Sequence, residues 1–194
     1  MNTTEYISSL TKISLQDLLG FGREKVLNIL TTFNCNKNED LEKFIKDPSK
    51  SVCFEENHTT RTYLFLDDDL NLIAYYTITL KVLDTSRISS KSLIKRLDGI
   101  DKTRKNIPCY LIAQLGKNTN CKHKIGQYLL DSAVQTIKES KELVGGRFIL
   151  LDSVNEKEVI EFYTHEDNGF VELIEPKSDD KNVTLYYPLF DVAS

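Results

Sequence analysis

The sequence predicts an α+β protein built on a mixed, mostly antiparallel central sheet flanked by helices. Two observations carry that expectation. Strand-like runs come in close succession near both ends of the chain, Tyr63 to Leu66 with Leu72 to Leu80, and Phe170 to Ile174 with Val183 to Leu189, spaced to pair as antiparallel neighbours. Between them, Ile107 to Ser153 reads as a strand, an amphipathic helix and a second strand, the order of a crossover unit. A chain of 194 residues suffices for one domain, 1–194, with a core of its own.

The elements follow from local signals. The first dozen residues are polar apart from Tyr6, Ile7 and Leu10 and are expected to be loose. Ser14 can cap a helix through LQDLLGFGREKVLNILTTF, which Gly20 and Gly22 divide in two. Glu39 to Lys46 is a short helix stopped before Pro48. The acidic turn DDDLN joins the first two strands; Asp67, Asp68 and Asp69 lack the alternating ligands and terminal Glu of a calcium loop. Ser89 or Ser90 caps a helix ending near Gly99. In IPCYLIAQL the residues Ile107, Cys109, Leu111, Ala113 and Leu115 alternate on one face while Tyr110 and Ile112 make the other apolar, as in a central strand covered on both sides. A helix then begins near Cys121 to Ile125, with Ile125, Leu129, Ala133 and Ile137 recurring every fourth residue. Gly145 and Gly146 stop it, RFILLDS returns to strand, and Glu156 to Thr164 is a helix clustering Val159, Ile160, Phe162 and Tyr163. The polar loop EPKSDDKN separates the final two strands.

Composition narrows the function. No apolar run is long enough to span a bilayer, and the start MNTTEYISSLTK has no signal-peptide character, so a cytoplasmic protein without membrane contact is expected. Cysteines 35, 53, 109 and 121 form no Cys-x-x-Cys pair and read as free thiols, without a disulfide framework or metal site. A net charge of -4 argues against a globally basic nucleic-acid binder. Locally, however, Lys81, Arg87, Lys91, Lys95, Arg96, Lys102, Arg104 and Lys105 crowd one stretch, either a solvated face or a footprint for phosphates. The loop GKNTNCKHK between strand and helix is polar and basic and ends at a helix N-terminus, where unpaired amides favour a bound anion. Cys121 and His123 are too close in sequence to face each other as a nucleophile pair, and His58, His123 and His165 read as surface residues.

The run CKHKIG, residues 121 to 126, resembles the loop with which the GNAT acetyltransferases wrap the pyrophosphate of acetyl-coenzyme A. Ile125 and Gly126 match; Cys121 stands where Gln or Arg is usual and Lys124 where the first Gly is usual. A second match, VIEFYTHEDNGF, resembles the family's helix ending in Phe-Tyr and leading to Gly-Phe on the next strand, through Phe162, Tyr163, Gly169 and Phe170. Phe33, Asn34 and Cys35, with Tyr75 and Tyr76 after Ala74 in place of glycine, are similar to the N-terminal half of GNAT toxins from toxin-antitoxin modules.

The resemblance implies a GNAT-like fold, acetyl-CoA as co-substrate and no metal. It implies that Lys122, His123, Lys124, Ile125 and Gly126 hold the pyrophosphate, that Leu115, Gly116 and Lys117 pair with the pantetheine arm, and that Tyr163 protonates the leaving thiolate. No general base is assigned: Glu156, Glu158 and Glu161 are expected to be exposed, and Gln114 cannot take a proton. The implied acceptor is a primary amine. The toxin resemblance points to the amino group of an aminoacyl-tRNA, with an antitoxin protein as partner; a small amine or a protein N-terminus stays open, and a homodimer is compatible. The alternative from another class is a GNAT fold that has lost catalysis and serves as a binding or regulatory module.

Overall fold

Seven strands among the described residues make the sheet: β1 (Thr11–Ser14), β2 (Arg61–Leu66), β3 (Leu72–Asp84), β4 (Asn106–Lys117), β5 (Phe148–Val154), β6 (Val171–Glu172) and β7 (Asn182–Pro188). Their order is β1-β2-β3-β4-β5-β7-β6. β4 and β5 pair in parallel from Tyr110 opposite Ile149 to Ile112 opposite Leu151, whereas β1 with β2, β2 with β3, β5 with β7 and β6 with β7 are antiparallel. The mixed, mostly antiparallel sheet is therefore present, and its parallel pair is the expected crossover unit. The computed structural model describes residues 2–174 and 181–190. Contacts gather the chain into two units, Met1–Thr79 with Ala113–Ala133, and Leu80–Ile112 with Val134–Ser194.

In the first unit the N-terminus is ordered, contrary to expectation. Asn2 Oδ1 accepts from the Glu5 amide and the Glu5 carboxylate accepts from the Asn2 amide, both at 2.9 Å, and this capping box opens helix α1 (Thr3–Ser9). β1 follows and pairs Thr11 with Leu66 through Ser14 with Tyr63. Ser14 then caps α2 (Leu15–Leu19), its Oγ accepting from the Asp17 amide at 3.0 Å, and the chain breaks before α3 (Arg23–Thr31) as the two glycines predict. α4 spans Glu39–Lys46 as expected. α5 (Ser51–Glu56) was not foreseen; its N-terminus has no side-chain cap, and the helix is held from inside by Val52, fully buried, and by the Ser51 hydroxyl donating to the Ile45 carbonyl at 2.9 Å. Leu15, Val26, Leu30, Phe33, Ile45, Val52, Leu64 and Tyr75 form its core, each full burial contributing about 1.5–3 kcal/mol.

In the second unit Ser90 caps α6 (Lys91–Asp98), accepting from the Leu93 amide at 3.2 Å, and Gly99 closes it in the left-handed conformation. Ile94 and Leu97 face a core with Ile107, Cys109, Phe148 and Leu150. The helix after β4, α7 (Gly126–Val144), enters this unit from the first and stops before Gly145, whose carbonyl accepts the Tyr110 hydroxyl. α8 spans Lys157–Thr164. Two strands differ from expectation: β3 runs on to Asp84, and the strand placed at Phe170 to Ile174 contracts to Val171–Glu172. Of the expected loop before β7, residues Glu175 to Asp180 lie outside the described residues.

Candidate active site

β4 ends at Lys117 and α7 begins at Gly126, just beyond the range in which the sequence places its start. The residues between form a fixed loop rather than a helical turn, and the neighbouring contacts explain it. Asn118, 3% exposed, donates from Nδ2 to the carbonyls of Thr32 and Leu72 at 3.0 and 2.9 Å, donates its amide to Ile73 at 2.7 Å, and accepts the Asn120 amide at 3.0 Å. Thr119 donates its amide to the Asn34 carbonyl at 2.7 Å and accepts the Asn36 amide at 3.0 Å. The Phe33-Asn34-Cys35 turn is thereby stitched to the loop, with the Cys35 amide capped by the Glu42 carboxylate at 2.8 Å. Gly116 packs beneath: a Cβ there would sit 3.0 Å from Leu41 and 3.4 Å from Phe33.

Lys117 sets the direction of the loop backbone. Its ammonium donates to the carbonyls of Cys121 and His123 at 2.8 and 3.0 Å. No peptide among the described residues is cis, and in a trans peptide the carbonyl and the following amide point opposite ways. The amides of Lys122 and Lys124 therefore face away from the ammonium. These two and the His123 amide have no hydrogen-bond partner among the described residues. With carbonyls 121 and 123 turned to Lys117, the first helical bond forms later, from the Leu129 amide to the Ile125 carbonyl at 3.0 Å. Unpartnered amides beside a helix N-terminus favour a bound anion, and Lys122 and Lys124 add exposed cations. Ile125, fully buried, anchors the loop; Cys121, 6% exposed, points inward. His123 is not the free surface residue expected: Tyr6 stacks on its ring, centroids 4.0 Å apart and planes 14° from parallel. Burial, and then the nearness of Cys121, pushes the Tyr6 hydroxyl up to about 12.

Leu115, Gly116, Lys117 and Lys122 to Gly126 thus gather at the end of β4, while Tyr163 belongs to the other unit, on α8. Its ring meets Phe162 and Phe170 edge-on at 5.1 and 5.8 Å, and burial pushes its pKa up to about 12. The hydroxyl has no partner among the described residues, of which Thr60 alone holds a sealed, unpartnered side-chain oxygen; the Tyr163 hydroxyl therefore keeps contact with solvent. The turn beneath is built for this helix end. Asn168 Nδ2 donates to the Phe162 carbonyl at 2.6 Å, Gly169 adopts a left-handed φ of 65°, and the Phe170 amide donates to the Tyr163 carbonyl at 3.3 Å. Glu156, Glu158 and Glu161 are exposed. Among the described residues no group of three or more His, Cys, Asp or Glu could hold a metal, and no helix is long and apolar enough to cross a membrane.

At the level of sequence, no family model and no curated protein matches this chain. Solved structures do match. AtaT complexed with acetyl-methionyl-tRNAfMet superposes with a TM-score of 0.68 at 22% identity, over 92% of this chain and 94% of that one. The chain has the GNAT fold. A tyrosine-to-phenylalanine mutant of KacT shares the GNAT architecture at TM-score 0.69 and 19% identity, over 93% and 95% of the two chains. So does a tyrosine-to-phenylalanine mutant of AtaT bound to the C-terminus of the antitoxin AtaR and to acetyl-CoA, at 0.64 and 20%, over 93% of each chain. Sequence reasoning missed Asn118, Thr119 and Tyr6; only Tyr6 had a local signal, the Asn2 and Glu5 spacing that orders its helix.

Proposed function

We propose that the protein is an N-acetyltransferase that moves an acetyl group from acetyl-CoA to a primary amine by direct attack in a ternary complex. The observation that carries this reading is the Lys117-organised loop with its unpartnered amides at residues 122, 123 and 124. Its donors and exposed lysines fit a pyrophosphate. The backbone at Leu115 to Lys117, beyond the last β5 pairing at Ile112, would serve the pantetheine arm. The amine nitrogen attacks the thioester carbonyl carbon, the C–S bond breaks, and Tyr163 gives its proton to the departing sulfur. The proton lost from the nitrogen passes through water and restores the phenol, so that N-acetylated amine and coenzyme A thiol are the products. A phenol held protonated up to about 12 stays an acid throughout the physiological range. No carboxylate is assigned as base; an amine of low pKa positioned beside the thioester needs none.

An aminoacyl-tRNA supplies such an amine, and this is the acceptor we favour, with an antitoxin protein as the cognate partner and the cytoplasm as the compartment. AtaT and its complexes support the choice by likeness of fold. A feature of this chain supports it independently. Lys91, Lys95, Arg96, Lys102 and Lys105 are exposed, and their side chains have no partner among the described residues, whereas Lys81 and Arg104 are neutralised by Asp152 and Asp98 at 3.1 and 2.9 Å. Five free cations in one segment suit a phosphate backbone despite the acidic total.

Calorimetry with acetyl-CoA tests cofactor binding, and acetylation of charged tRNA by wild type and Tyr163→Phe tests the reaction. We expect kcat to fall about 100-fold or more in the variant with little loss of stability; an unchanged kcat removes Tyr163 from the chemistry. A second reading, a catalytically impaired binding module, draws on Lys124 at the usual place of a glycine. Cofactor binding without turnover on any amine favours it.

A further inference from the structure

Resting on the reading of the loop as the coenzyme A phosphate site, we infer that helix α1 is a strap over that loop and that Tyr6 is a positioning residue for the cofactor, acting through His123. Two grips converge on His123. Lys117 holds the carbonyls of Cys121 and His123 from inside, while Tyr6 stacks on the His123 ring at 4.0 Å and the Cys121 thiol donates to the His123 carbonyl at 3.8 Å. The amides that face outward, at 122 and 124, directly follow the two gripped carbonyls. Fixing those residues fixes the donors.

The strap has little else to do. None of its residues is fully buried, so it contributes nothing central to the apolar core. Its own ends are satisfied locally, by the Asn2 and Glu5 box and by the Ser8 and Ser9 hydroxyls donating to the carbonyls of Thr4 and Tyr6 at 3.0 and 2.8 Å. A helix of seven residues is nevertheless too short to persist alone, and the contact that orders it is also the contact that orders the loop. The segment Lys122-His123-Lys124 contains no glycine, and a preorganised loop avoids the ordering cost on binding.

The test compares acetyl-CoA with acetyl-pantetheine, which lacks the phosphates. Tyr6→Ala is expected to raise Kd and KM for acetyl-CoA about three- to tenfold, the worth of one aromatic stack, with kcat and the KM for acetyl-pantetheine unchanged. Tyr6→Phe keeps the ring and restores most of the affinity. Equal loss on both thioesters would mean general damage and overturn the strap, as would wild-type affinity in Tyr6→Ala. Should Tyr6→Ala fold poorly, His123→Ala approaches the stack from the loop, and a double-mutant cycle with Tyr6→Phe replaced by Tyr6→Leu must show coupling; additive effects refute the contact. If wild type itself binds no acetyl-CoA, the site reading fails, an outcome distinct from failure of the strap.

Discussion

Replacing Lys117 by methionine keeps the aliphatic stem and removes the ammonium that turns the loop. The two bonds lost, at 2.8 and 3.0 Å, are charge-assisted. In a dry site each contributes about 1.5–3 kcal/mol, but Lys117 is only half-buried and water can take over part of the task. A net loss of about 1–2 kcal/mol in loop order is the expected size, equivalent to roughly 5- to 30-fold in Kd for acetyl-CoA. Calorimetry across a salt series separates this role from a direct phosphate contact. An organiser weakens binding by the same factor at every ionic strength, whereas a direct ligand would also flatten the salt dependence, because one screened attraction is gone. Unchanged affinity in Lys117→Met refutes the claim that this side chain organises the donors. Affinity that rises would place the ammonium in the way of the ligand.

Stability should fall on the alkaline side. Burial pushes the Cys109 thiol from 9.0 to about 12 while its Sγ donates to the Lys81 carbonyl, and Tyr163 rises from 10.0 to about 12. Each group keeps its proton longer when folded, so its contribution is complete below the unfolded value and is lost as pH climbs from 9.0 toward 12. Denaturant midpoints across pH 7 to 12 check this, and Cys109→Ala should flatten the earliest part of the fall; a level profile to pH 12 contradicts it. Glu55, fully buried, accepts the Thr62 amide at 2.7 Å and pairs with Arg61. Glu55→Ala strands the buried Thr62 amide, while Arg61, with a side chain 39% exposed and also donating to Gln16 at 3.1 Å, keeps other partners. The cost in urea unfolding should be about 1–3 kcal/mol, and a loss below about 0.5 kcal/mol would mean that water replaces the carboxylate.

The fold was legible wherever a signal was local. The bounds of α4, the Ser90 and Gly99 caps of α6, the break at Gly20 and Gly22, and the crossover from β4 through α7 to β5 all rest on residues adjacent in sequence. What was not legible depends on distant partners. α5 has no cap of its own and forms because Val52 and Ser51 are held from outside the helix. β3 outruns its expected end because Leu83 is buried in the second unit's core, although Leu80 and Val82 beside it are 74% and 59% exposed. The candidate site divides in the same way. Its position, a polar loop between strand and helix, follows from the change in period, but the tasks of its side chains do not. Asn118 acts on Thr32 and Leu72, and Tyr6 on His123, across separations no motif encodes. Lys117, counted among the residues beside the pantetheine arm, spends its charge on carbonyls.

Lys124 is where the degenerate motif is decided. Glycine serves such loops by adopting a positive φ or by letting a phosphate approach closely. The first need is absent here: the only non-glycine residues with positive φ are His58 and Leu70 among the described residues, so no position from 121 to 125 requires a left-handed backbone. The amides are displayed by ordinary residues because Lys117 holds the carbonyls. Lys124→Gly therefore gains no conformation the loop lacks, costs about 0.5–1 kcal/mol in chain entropy, and removes an exposed cation contributing about 0.3–1 kcal/mol beside a helix N-terminus anion. Binding of acetyl-CoA should weaken by roughly 4- to 30-fold, with a shallower dependence on salt. Tighter binding would show that the lysine side chain obstructs the phosphates, and would turn the balance toward a fold that has given up its cofactor.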